Sequence, residues 1–360
     1  MIEYENLSKV NKIHKKNLKK IFLDSLESGQ FILGNNTLKF EYEFSRYTKS
    51  KYSCGVASGL DSMILSLQSQ KFEKGSQVIV PSNTYIATIL AVLRSDLVPV
   101  LAEPKIGTYN ICPDQIEEKI INKTKAIIVT HLYGNPCEME SIVNICNKNN
   151  LVLLEDCAQS HGATYRGKHT GTFGKFGCFS FYPTKNLGAL GDGGLITVKS
   201  KKDLNILQNL RNYGSSTKYK NSEIGFNSRL DEIQAAFLRV KLRSLNKLIN
   251  HKQKLASIYH KELKDDFIKP KLQPHCKQVF HIYPIRHPKR NKLRKYLLEN
   301  GVKTDIHYPI PPHKQKGYIP ILKGNYPISE EIHETILSLP ISLMHKETEI
   351  NKICEILNKF

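Results

Sequence analysis

Residues 178–194 read Cys-Phe-Ser-Phe-Tyr-Pro-Thr-Lys-Asn-Leu-Gly-Ala-Leu-Gly-Asp-Gly-Gly, and they are the most informative segment of this chain. They place Lys185 in a turn that is rich in proline and glycine. A lysine amine that is held partly away from water can form a Schiff base with an aldehyde, so pyridoxal phosphate is the first candidate cofactor. A lysine in such a loop is more often only a solvated side chain, so the prediction depends on the segments that precede it.

Upstream of this turn, an apolar run at residues 151–154 stops at Glu155 and Asp156. A short apolar run bounded by polar residues predicts a buried parallel strand, and ligands of such sheets bind at the carboxyl ends of the strands. A carboxylate at that position could pair with the pyridine nitrogen of the cofactor and keep it protonated. Alternatively, Asp156 could cap a following helix.

A helix is predicted to begin just after Ser58 and Gly59, because apolar residues recur at helical spacing from Leu60 to Leu67. The free amides of a helix start attract phosphate, and glycine lets the backbone approach an anion closely. Helices that bind nothing also commonly begin with Ser-Gly. Further along, Tyr85 follows the apolar residues 77–80 and could either stack on a flat cofactor or belong to the core.

Apolar segments alternate with helical stretches over much of the chain; they lie at 77–80, 98–102, 126–130, 151–155, 178–181 and 195–198. This alternation predicts an α/β fold with a mostly parallel sheet covered by helices on both faces. We expect the strands that start at Cys178 and Leu195 to pair antiparallel. A long helical pattern at 230–248 would connect a large domain, residues 1–245, to a smaller C-terminal α+β domain, residues 246–360.

Six segments occur in a fixed order: Ser-Gly-Leu-Asp at 58–61, Pro-Ser-Asn-Thr-Tyr-Ile-Ala-Thr at 81–88, Glu-Asp-Cys-Ala-Gln at 155–159, Phe-Ser-Phe-Tyr-Pro-Thr-Lys-Asn-Leu-Gly at 179–188, Gly-Phe-Asn-Ser-Arg-Leu-Asp-Glu-Ile-Gln-Ala-Ala at 225–236 and His-Tyr-Pro-Ile-Pro-Pro-His-Lys-Gln at 307–315. Together they resemble the DegT/DnrJ-type nucleotide-sugar aminotransferases, from about residue 34 to near residue 340. Several colinear motifs are far more specific than any one of them. The resemblance implies the aspartate aminotransferase-like fold, which is fold type I of the pyridoxal phosphate-dependent transferases.

For the cofactor ring, the resemblance implies four contacts. Lys185 would hold the cofactor as an internal aldimine and would later move the proton. Asp156 would pair with the pyridine nitrogen, and Gln159 would pair with the ring hydroxyl. Tyr85 would stack on the ring face.

For the cofactor phosphate, the resemblance implies the amides of Gly59 and Leu60, the hydroxyl of Ser180, and Asn227 of the partner subunit. The active site would therefore be complete only in a homodimer. Many relatives have Asn-Gly-Thr where this chain has Ser-Gly-Leu at 58–60, so a threonine contact to the phosphate is lost here.

The Gly-Leu-Asp variant and the His-Tyr-Pro segment resemble the subgroup that aminates C3 of dTDP-linked 3-keto-6-deoxyhexoses, with L-glutamate as the expected amino donor. In that subgroup the sugar and diphosphate would meet Tyr182, His307 and Tyr308, with Lys218 or Tyr219 supplied across the subunit interface. His307 could equally be an ordinary histidine of a proline-rich loop, because loop sequence constrains geometry little.

Lysine at position 185 argues against the deoxygenation that relatives with histidine there perform. Two other functions stay open. One is amination at C4, or with another nucleotide; the other is a non-catalytic, pyridoxal phosphate-binding regulatory protein that uses its basic surface on DNA. Nothing in the sequence resembles an appended helix-turn-helix module. The expected product would enter a surface glycan such as the O-antigen of lipopolysaccharide.

Composition agrees with a cytoplasmic enzyme. With 360 residues, 40% of them hydrophobic, the chain can bury a large core, and neither a membrane-spanning stretch nor a signal-peptide pattern is recognised. The eight cysteines are scattered without a Cys-x-x-Cys pair, so we expect no disulfide framework and no metal. The net charge of +20 is spread along the chain, so neither nucleic acid nor a membrane is predicted as a partner, and the charge could assist capture of a dianionic nucleotide sugar.

Overall fold

A computed structural model describes residues 1–217 and 219–360 of the chain. Its strands, in chain order, are β1 (Tyr52–Val56), β2 (Gln77–Pro81), β3 (Val98–Ala102), β4 (Thr124–Thr130), β5 (Val152–Asp156), β6 (Thr164–Tyr165), β7 (Lys168–His169), β8 (Phe176–Ser180), β9 (Gly194–Val198), β10 (Ser215–Thr217), β11 (Lys220–Asn221), β12 (Cys276–Lys277), β13 (Tyr283–Arg286) and β14 (Ile336–Leu339).

The helices are α1 (Leu7–Asn11), α2 (Lys15–Ser28), α3 (Asn35–Thr48), α4 (Gly59–Gln68), α5 (Ile86–Leu93), α6 (Pro113–Glu117), α7 (Met139–Lys148), α8 (Lys201–Leu210), α9 (Glu232–Leu242), α10 (Leu245–Glu262), α11 (Arg290–Glu299), α12 (Pro327–Thr335) and α13 (Glu347–Leu357). Across the described residues, none of these helices is both long and apolar enough to cross a membrane.

The central sheet has the strand order β1-β9-β8-β5-β4-β2-β3 in the part of the chain that the structure describes. Strand β9 runs antiparallel to both of its neighbours, and the other neighbouring pairs are parallel. The predicted mostly parallel sheet is therefore confirmed, as is the antiparallel pairing of the strands after Cys178 and Leu195. Because β2, β4, β5 and β8 point the same way, their carboxyl ends meet along one edge.

Alternate residues of the strands enter separate cores, as the pleat of a β-strand requires. In β2, Val78 and Val80 pack with α4, α5 and α8, whereas Ile79 packs with α6 and α7 on the opposite face. Under β8 and β9, this second face is covered by α3, α9 and the start of α10. Both faces of the sheet are thus buried, which explains why its strands are apolar runs without alternation.

The C-terminal part of the chain builds a core of its own. Helices α10, α11 and α13 pack around the two-stranded ladder of β13 and β14. Helix α10 belongs to both cores, since Leu245 and Ile249 pack with α3 and α9, while Leu255 and Tyr259 pack in the C-terminal core. The chain start also reaches this part, because Ile2 pairs with Val302.

Two details differ from the sequence interpretation. The single helix expected at 230–248 is wrong, because α9 ends at Leu242 and α10 begins at Leu245. The backbone leaves helical geometry at Ser244, whose hydroxyl donates to the carbonyl of Lys241, but apolar spacing continues across the break and hides it. Strand β1 was not identified, because Ser53 and Gly55 interrupt its apolar pattern.

All eight cysteines are free thiols. Six are buried, and Cys112 and Cys276 are partly exposed. Burial raises the pKa of the Cys54 and Cys178 thiols to about 12, so these groups are protonated at neutral pH.

Candidate active site

Asp156 lies at the carboxyl end of β5 and is almost fully buried. Its Oδ2 accepts a hydrogen bond from the Thr88 hydroxyl at 2.8 Å, and its Oδ1 accepts from the amide of Ala158 at 3.1 Å. The chain continues through turns to β6, so the alternative that Asp156 caps a helix is wrong. A carboxylate has about four acceptor positions, so these two bonds leave room for a protonated ring nitrogen.

Lys185 lies in the turn after β8, where its amide donates to the carbonyl of Tyr182 at 2.8 Å. Burial lowers the pKa of its amine to about 8, and the nearby Asp156 carboxylate opposes that shift. At pH 7 a lysine with this pKa is neutral in roughly one molecule in ten, against about one in a few thousand for an exposed lysine. The structure thus gives Lys185 the nucleophilic character that its sequence context predicts.

Three histidines lie near this amine. Burial lowers the pKa of His161 to about 3, and it also lowers the pKa of His281 and His307. The charge of Lys185 contributes to all three shifts in the same direction. The imidazoles are therefore neutral at pH 7, which leaves Asp156 as the counter-charge that raises the pKa of Lys185.

A small cradle lies where α4 begins beside the end of β8. Ser58 caps the helix, with its hydroxyl accepting from the amide of Asp61 at 3.1 Å. A Cβ added at Gly59 would lie only 2.4 Å from Cβ of Ser180, so the helix start and the serine are in direct contact. The amides of Gly59 and Leu60 and the hydroxyl of Ser180 thus lie together, as a phosphate site at a helix N-terminus requires.

Asn227 has an exposed side chain and a backbone that pairs with Asn212. The next residue binds the start of α4, because the Ser228 hydroxyl accepts from the amide of Ala57 at 3.2 Å and donates to Asp61 at 2.9 Å. Among the described residues, no hydrogen bond joins the Asn227 side chain to the cradle of its own chain. The loop is held close to α4, and Asn227 faces outward.

Tyr85 precedes α5, and its side chain is 54% exposed, so the alternative that it belongs to the core is wrong. Its ring lies 5.3 Å from the ring of Tyr308. Gln159 is buried between these parts of the site, since its Oε1 accepts from the amide of Tyr133 and its Nε2 donates to the Tyr308 hydroxyl at 3.0 Å. One N–H of the Gln159 amide is left for a cofactor hydroxyl.

The segment carrying His307 is attached to the large sheet through Tyr133, whose hydroxyl donates to the His307 carbonyl. The His307 Nδ1 lies 2.9 Å from the Ser338 hydroxyl, while its Nε2 is 3.8 Å from Asp305, beyond hydrogen-bond distance. Nε2 is therefore available to a ligand. His307 does lie in a proline-rich loop, and its Nδ1 has a fixed partner in the Ser338 hydroxyl.

Two of the remaining predicted sugar contacts are exposed. Tyr182 is 53% exposed in the turn that carries Lys185. Tyr219 is highly exposed in the turn between β10 and β11. Lys218 lies outside the described residues.

Sequence reasoning missed two residues that shape the site. Thr88 lies one helical turn after Tyr85 on α5 and contacts Asp156 directly. Tyr133 binds both Gln159 and His307, although it lies in a short 3₁₀ turn that carries no motif. Thr88 could have been found from the i, i+3 spacing to Tyr85, whereas Tyr133 offers no signal of that kind.

The assembled residues fit pyridoxal phosphate. The cradle has no room for a side chain at position 59, and the free amides of its helix start can bind an anion. Asp156 and Lys185 lie at the same edge of the sheet. The Asp156 carboxylate can accept a hydrogen bond from a protonated ring nitrogen, and the Lys185 amine is partly neutral. These are the donors and acceptors that the cofactor's phosphate, ring nitrogen and aldehyde need.

Comparison with known proteins agrees with this geometry. The model of the DegT/DnrJ/EryC1/StrS aminotransferase family matches residues 12–358. Over 361 aligned residues, the chain is 46% identical to dTDP-3-amino-3,6-dideoxy-alpha-D-galactopyranose transaminase of Aneurinibacillus thermoaerophilus, covering 100% of this chain and 99% of the relative. It is also 40% identical over 320 residues to the erythromycin biosynthesis sensory transduction protein EryC1 of Saccharopolyspora erythraea, covering 88% of this chain and 87% of the relative.

Two solved structures are closely similar. DesV of S. venezuelae, in complex with a ketimine intermediate, has a TM-score of 0.97 at 34% identity and covers 99% of this chain and 98% of its own. NtdA of Bacillus subtilis, with bound cofactor PMP, has a TM-score of 0.92 at 28% identity and covers 99% and 85%. The aspartate aminotransferase-like fold and the family resemblance are confirmed. This chain therefore belongs to the DegT/DnrJ/EryC1/StrS family and is a pyridoxal phosphate-dependent aminotransferase.

Proposed function

We propose that this protein transfers the amino group of L-glutamate to C3 of a dTDP-linked 3-keto-6-deoxyhexose, giving a dTDP-3-amino-3,6-dideoxyhexose. The observation that carries the reaction type is the partly buried Lys185, with a pKa of about 8, near Asp156. The sugar is inferred from the full-length similarity to a dTDP-3-amino-3,6-dideoxy-alpha-D-galactopyranose transaminase.

Pyridoxal phosphate, when bound, supplies an aldehyde that condenses with amines and a ring that accepts electrons from a carbanion. In the proposed mechanism Lys185 binds the cofactor in the resting enzyme. Once displaced, its Nζ accepts the α-proton of glutamate in the first half-reaction and donates a proton to C3 of the sugar in the second. One amine acting from one side fixes the stereochemistry of the product.

The other ring contacts follow from the hydrogen bonds already described. Asp156 would hold the proton on the ring nitrogen, with its carboxylate oriented by Thr88 and the amide of Ala158. Gln159 would donate its free N–H to the ring hydroxyl, and Tyr85 would cover one face of the ring. Tyr182, His307 and Tyr308 would contact the sugar and diphosphate.

We further propose a homodimer with shared active sites. Phe22, Leu23 and Leu190 line one exposed apolar groove, each with more than 40% of its side-chain area in solvent. A contiguous apolar surface of this kind is typical of protein interfaces. The groove adjoins the loop that carries Lys185. We propose that a second subunit covers this groove and brings its own Asn227, and Lys218 or Tyr219, close to this site.

We place the reaction in the cytoplasm, where free thiols stay reduced. The amino sugar would then be used in assembling a surface glycan such as the O-antigen. The proposed use in a surface glycan rests on the similarity to a deoxyamino-sugar transaminase.

The test is the visible absorption of the protein with pyridoxal phosphate, before and after glutamate, alongside Lys185→Ala. We expect a lysine-dependent band that glutamate removes and that Lys185→Ala lacks. The glutamate-treated enzyme is then mixed with dTDP-linked 3-keto and 4-keto sugars. Product from the 3-keto sugar, with ping-pong kinetics, supports the proposal. Product from the 4-keto sugar alone would establish C4 amination instead.

The EryC1 relative is named a sensory transduction protein, and this name supports the regulatory alternative. The full-length similarity to a transaminase favours catalysis. A lysine-dependent band that glutamate does not change, with no transfer to either sugar, would favour the regulatory role.

A further inference from the structure

The first residues of the chain form a strap, defined here as residues 2–5, that crosses the C-terminal core and ends beside the active site. The amide of Ile2 donates to the carbonyl of Gly301 at 2.7 Å, and the amide of Lys303 donates to the carbonyl of Ile2 at 3.0 Å. His345 binds the carbonyl of Glu3 through Nε2 at 2.8 Å. The backbone of the strap is therefore fixed at Ile2 and Glu3, directly before Tyr4.

Tyr4 packs against His307, with ring centroids 6.0 Å apart and an interplanar angle of 31°. Burial raises the pKa of Tyr4, Asp305 adds to this rise, and the Ser338 hydroxyl opposes it. The tyrosine thus lies among the groups that surround the histidine. It is held there by the strap rather than by any motif near position 307.

His307 is consequently held at three points, one on its main chain and two on its ring. Tyr133 binds the main-chain carbonyl of His307, Ser338 binds Nδ1, and Tyr4 covers one side of the ring. The remaining nitrogen, Nε2, is 3.8 Å from the Asp305 carboxylate and makes no hydrogen bond with it. The direction in which Nε2 points depends on the orientation of the imidazole ring, and contact with the Tyr4 ring limits that orientation.

We propose that Tyr4 is a positioning residue for the nucleotide-sugar half-reaction, and that the strap forms part of the wall of the sugar site. The inference rests on the proposed function, since it takes His307 as a sugar contact. Tyr4 would act by holding the imidazole so that Nε2 points at the substrate. Among the described residues, no hydrogen bond or ring contact links Tyr4 to Asp156, Thr88 or the phosphate cradle. Binding of cofactor and reaction with glutamate should therefore not depend on it.

The experiment compares Tyr4→Leu with Tyr4→Phe in the full-length holoenzyme. Leucine keeps apolar volume but removes the ring, and we expect it to raise KM for the 3-keto sugar about fivefold, as expected from loss of one aromatic contact. The KM for glutamate, and the rate at which glutamate removes the lysine-dependent absorption band, should stay unchanged. Phenylalanine keeps the ring and should restore most of the sugar KM.

Tyr165→Leu is the matched control, because Tyr165 is also a partly buried tyrosine. It lies in the small sheet of β12, β6 and β7 and packs against Phe173. It should alter neither KM. Equal changes in both half-reactions with Tyr4→Leu, or an unchanged sugar KM, would overturn the role of Tyr4 while leaving the proposed function intact. If the unaltered protein transfers no amino group to a ketosugar, both proposals are wrong.

Discussion

Thr88 connects helix α5 to Asp156, the carboxylate that we propose pairs with the ring nitrogen of the cofactor. Its hydroxyl donates to Asp156 and lies 2.9 Å from the hydroxyl of Thr84, which in turn lies 3.1 Å from that of Thr130. All four residues are buried, so no water competes for these bonds. A hydroxyl has one proton, and when Thr88 gives it to Asp156 the other threonines can donate to Thr88.

Thr88→Val should slow the first half-reaction about tenfold while leaving the fold intact, because a hydrogen bond to a buried carboxylate is lost without a change in side-chain shape. Rapid-mixing absorbance measurements with glutamate provide the rate. Thr88→Ser keeps the hydroxyl and is the control that should react nearly normally. A valine variant as fast as the serine variant would show that Asp156 does not need this partner.

Because the pKa of Lys185 is lowered, we expect the rate of cofactor capture to depend on pH in a defined way. Only the neutral amine attacks an aldehyde, so the rate at which cofactor-free enzyme captures pyridoxal phosphate should rise about tenfold per pH unit up to about pH 8 and then level off. The appearance of the visible band after mixing, followed from about pH 6 to about pH 10, gives this profile. A rise that continues to the top of the range would indicate an ordinary, solvated lysine.

The positions of several single site residues could be predicted, because motifs mark the ends of strands. Lys185 and Asp156 each follow an apolar run, and Gly59 precedes apolar residues at helical spacing, and both patterns show in the sequence. The orientation of Gln159 could not be predicted, since it depends on Tyr133 and Tyr308, which are distant along the chain. Contacts between residues that are far apart along the chain leave no pattern in the local sequence.

Helix α10 is the element that joins the turn of the reactive lysine to the C-terminal core. Its Lys252 is almost completely buried and donates to Oδ1 of Asn186 at 2.9 Å and to the carbonyl of His281 at 3.1 Å. Asn186 follows Lys185 directly and donates to the carbonyl of Val279 at 3.1 Å. Since α10 enters both cores, we propose that the large domain, residues 1–245, and the small domain, residues 246–360, move little relative to each other at this point.

Lys252→Met should lower the free energy of unfolding by about 1–3 kcal/mol, because two buried acceptors lose their donor. It should also weaken cofactor retention, since the turn that carries Lys185 loses its link to α10. Urea unfolding and the rate of cofactor release measure the two effects. Lys254→Met changes an exposed lysine of the same helix that pairs with Glu347 on the surface, and it should cost less than about 1 kcal/mol. Equal losses in both variants would contradict the role of Lys252.

At the scale of elements, the sequence predicted the sheet better than the helices. The six expected strands match β2, β3, β4, β5, β8 and β9 to within about two residues, because buried β-branched runs are distinctive. The break between α9 and α10 was missed, since Leu242 and Leu245 keep an apolar spacing that also fits one continuous helix. The strap at residues 2–5 has no periodicity, and its backbone is held by partners that are distant along the chain.

For the whole molecule, the proposed dimer predicts complementation between two inactive variants. Lys185→Ala removes the reactive amine, and Asn227→Asp places a negative charge against the phosphate of the partner's site. A hybrid dimer has one site in which both residues are intact. Co-expression should therefore restore about a quarter of the normal number of sites, because half of the dimers are hybrids with one good site each.

Activity per subunit in the co-expressed mixture, against each variant alone, measures this effect. The control pairs Lys185→Ala with a chain carrying both substitutions, a combination in which no site is intact and no recovery is expected. Failure of the first mixture to recover, with hybrids confirmed by differently tagged chains, would place Asn227 in the site of its own subunit.

The free thiols of the fold determine how the protein can be labelled chemically. Only thiolates react rapidly with maleimide-type reagents. Burial raises the pKa to about 12 in four of these groups: Cys54, Cys146, Cys178 and Cys354. Of the two partly exposed thiols, Cys276 has its pKa raised by burial to about 11, which leaves Cys112 as the main site of background labelling. A Cys112→Ser protein with one cysteine introduced at the exposed Lys9 would therefore carry a single fluorophore beside the strap, and its emission would report in real time whether that segment tightens when the sugar binds.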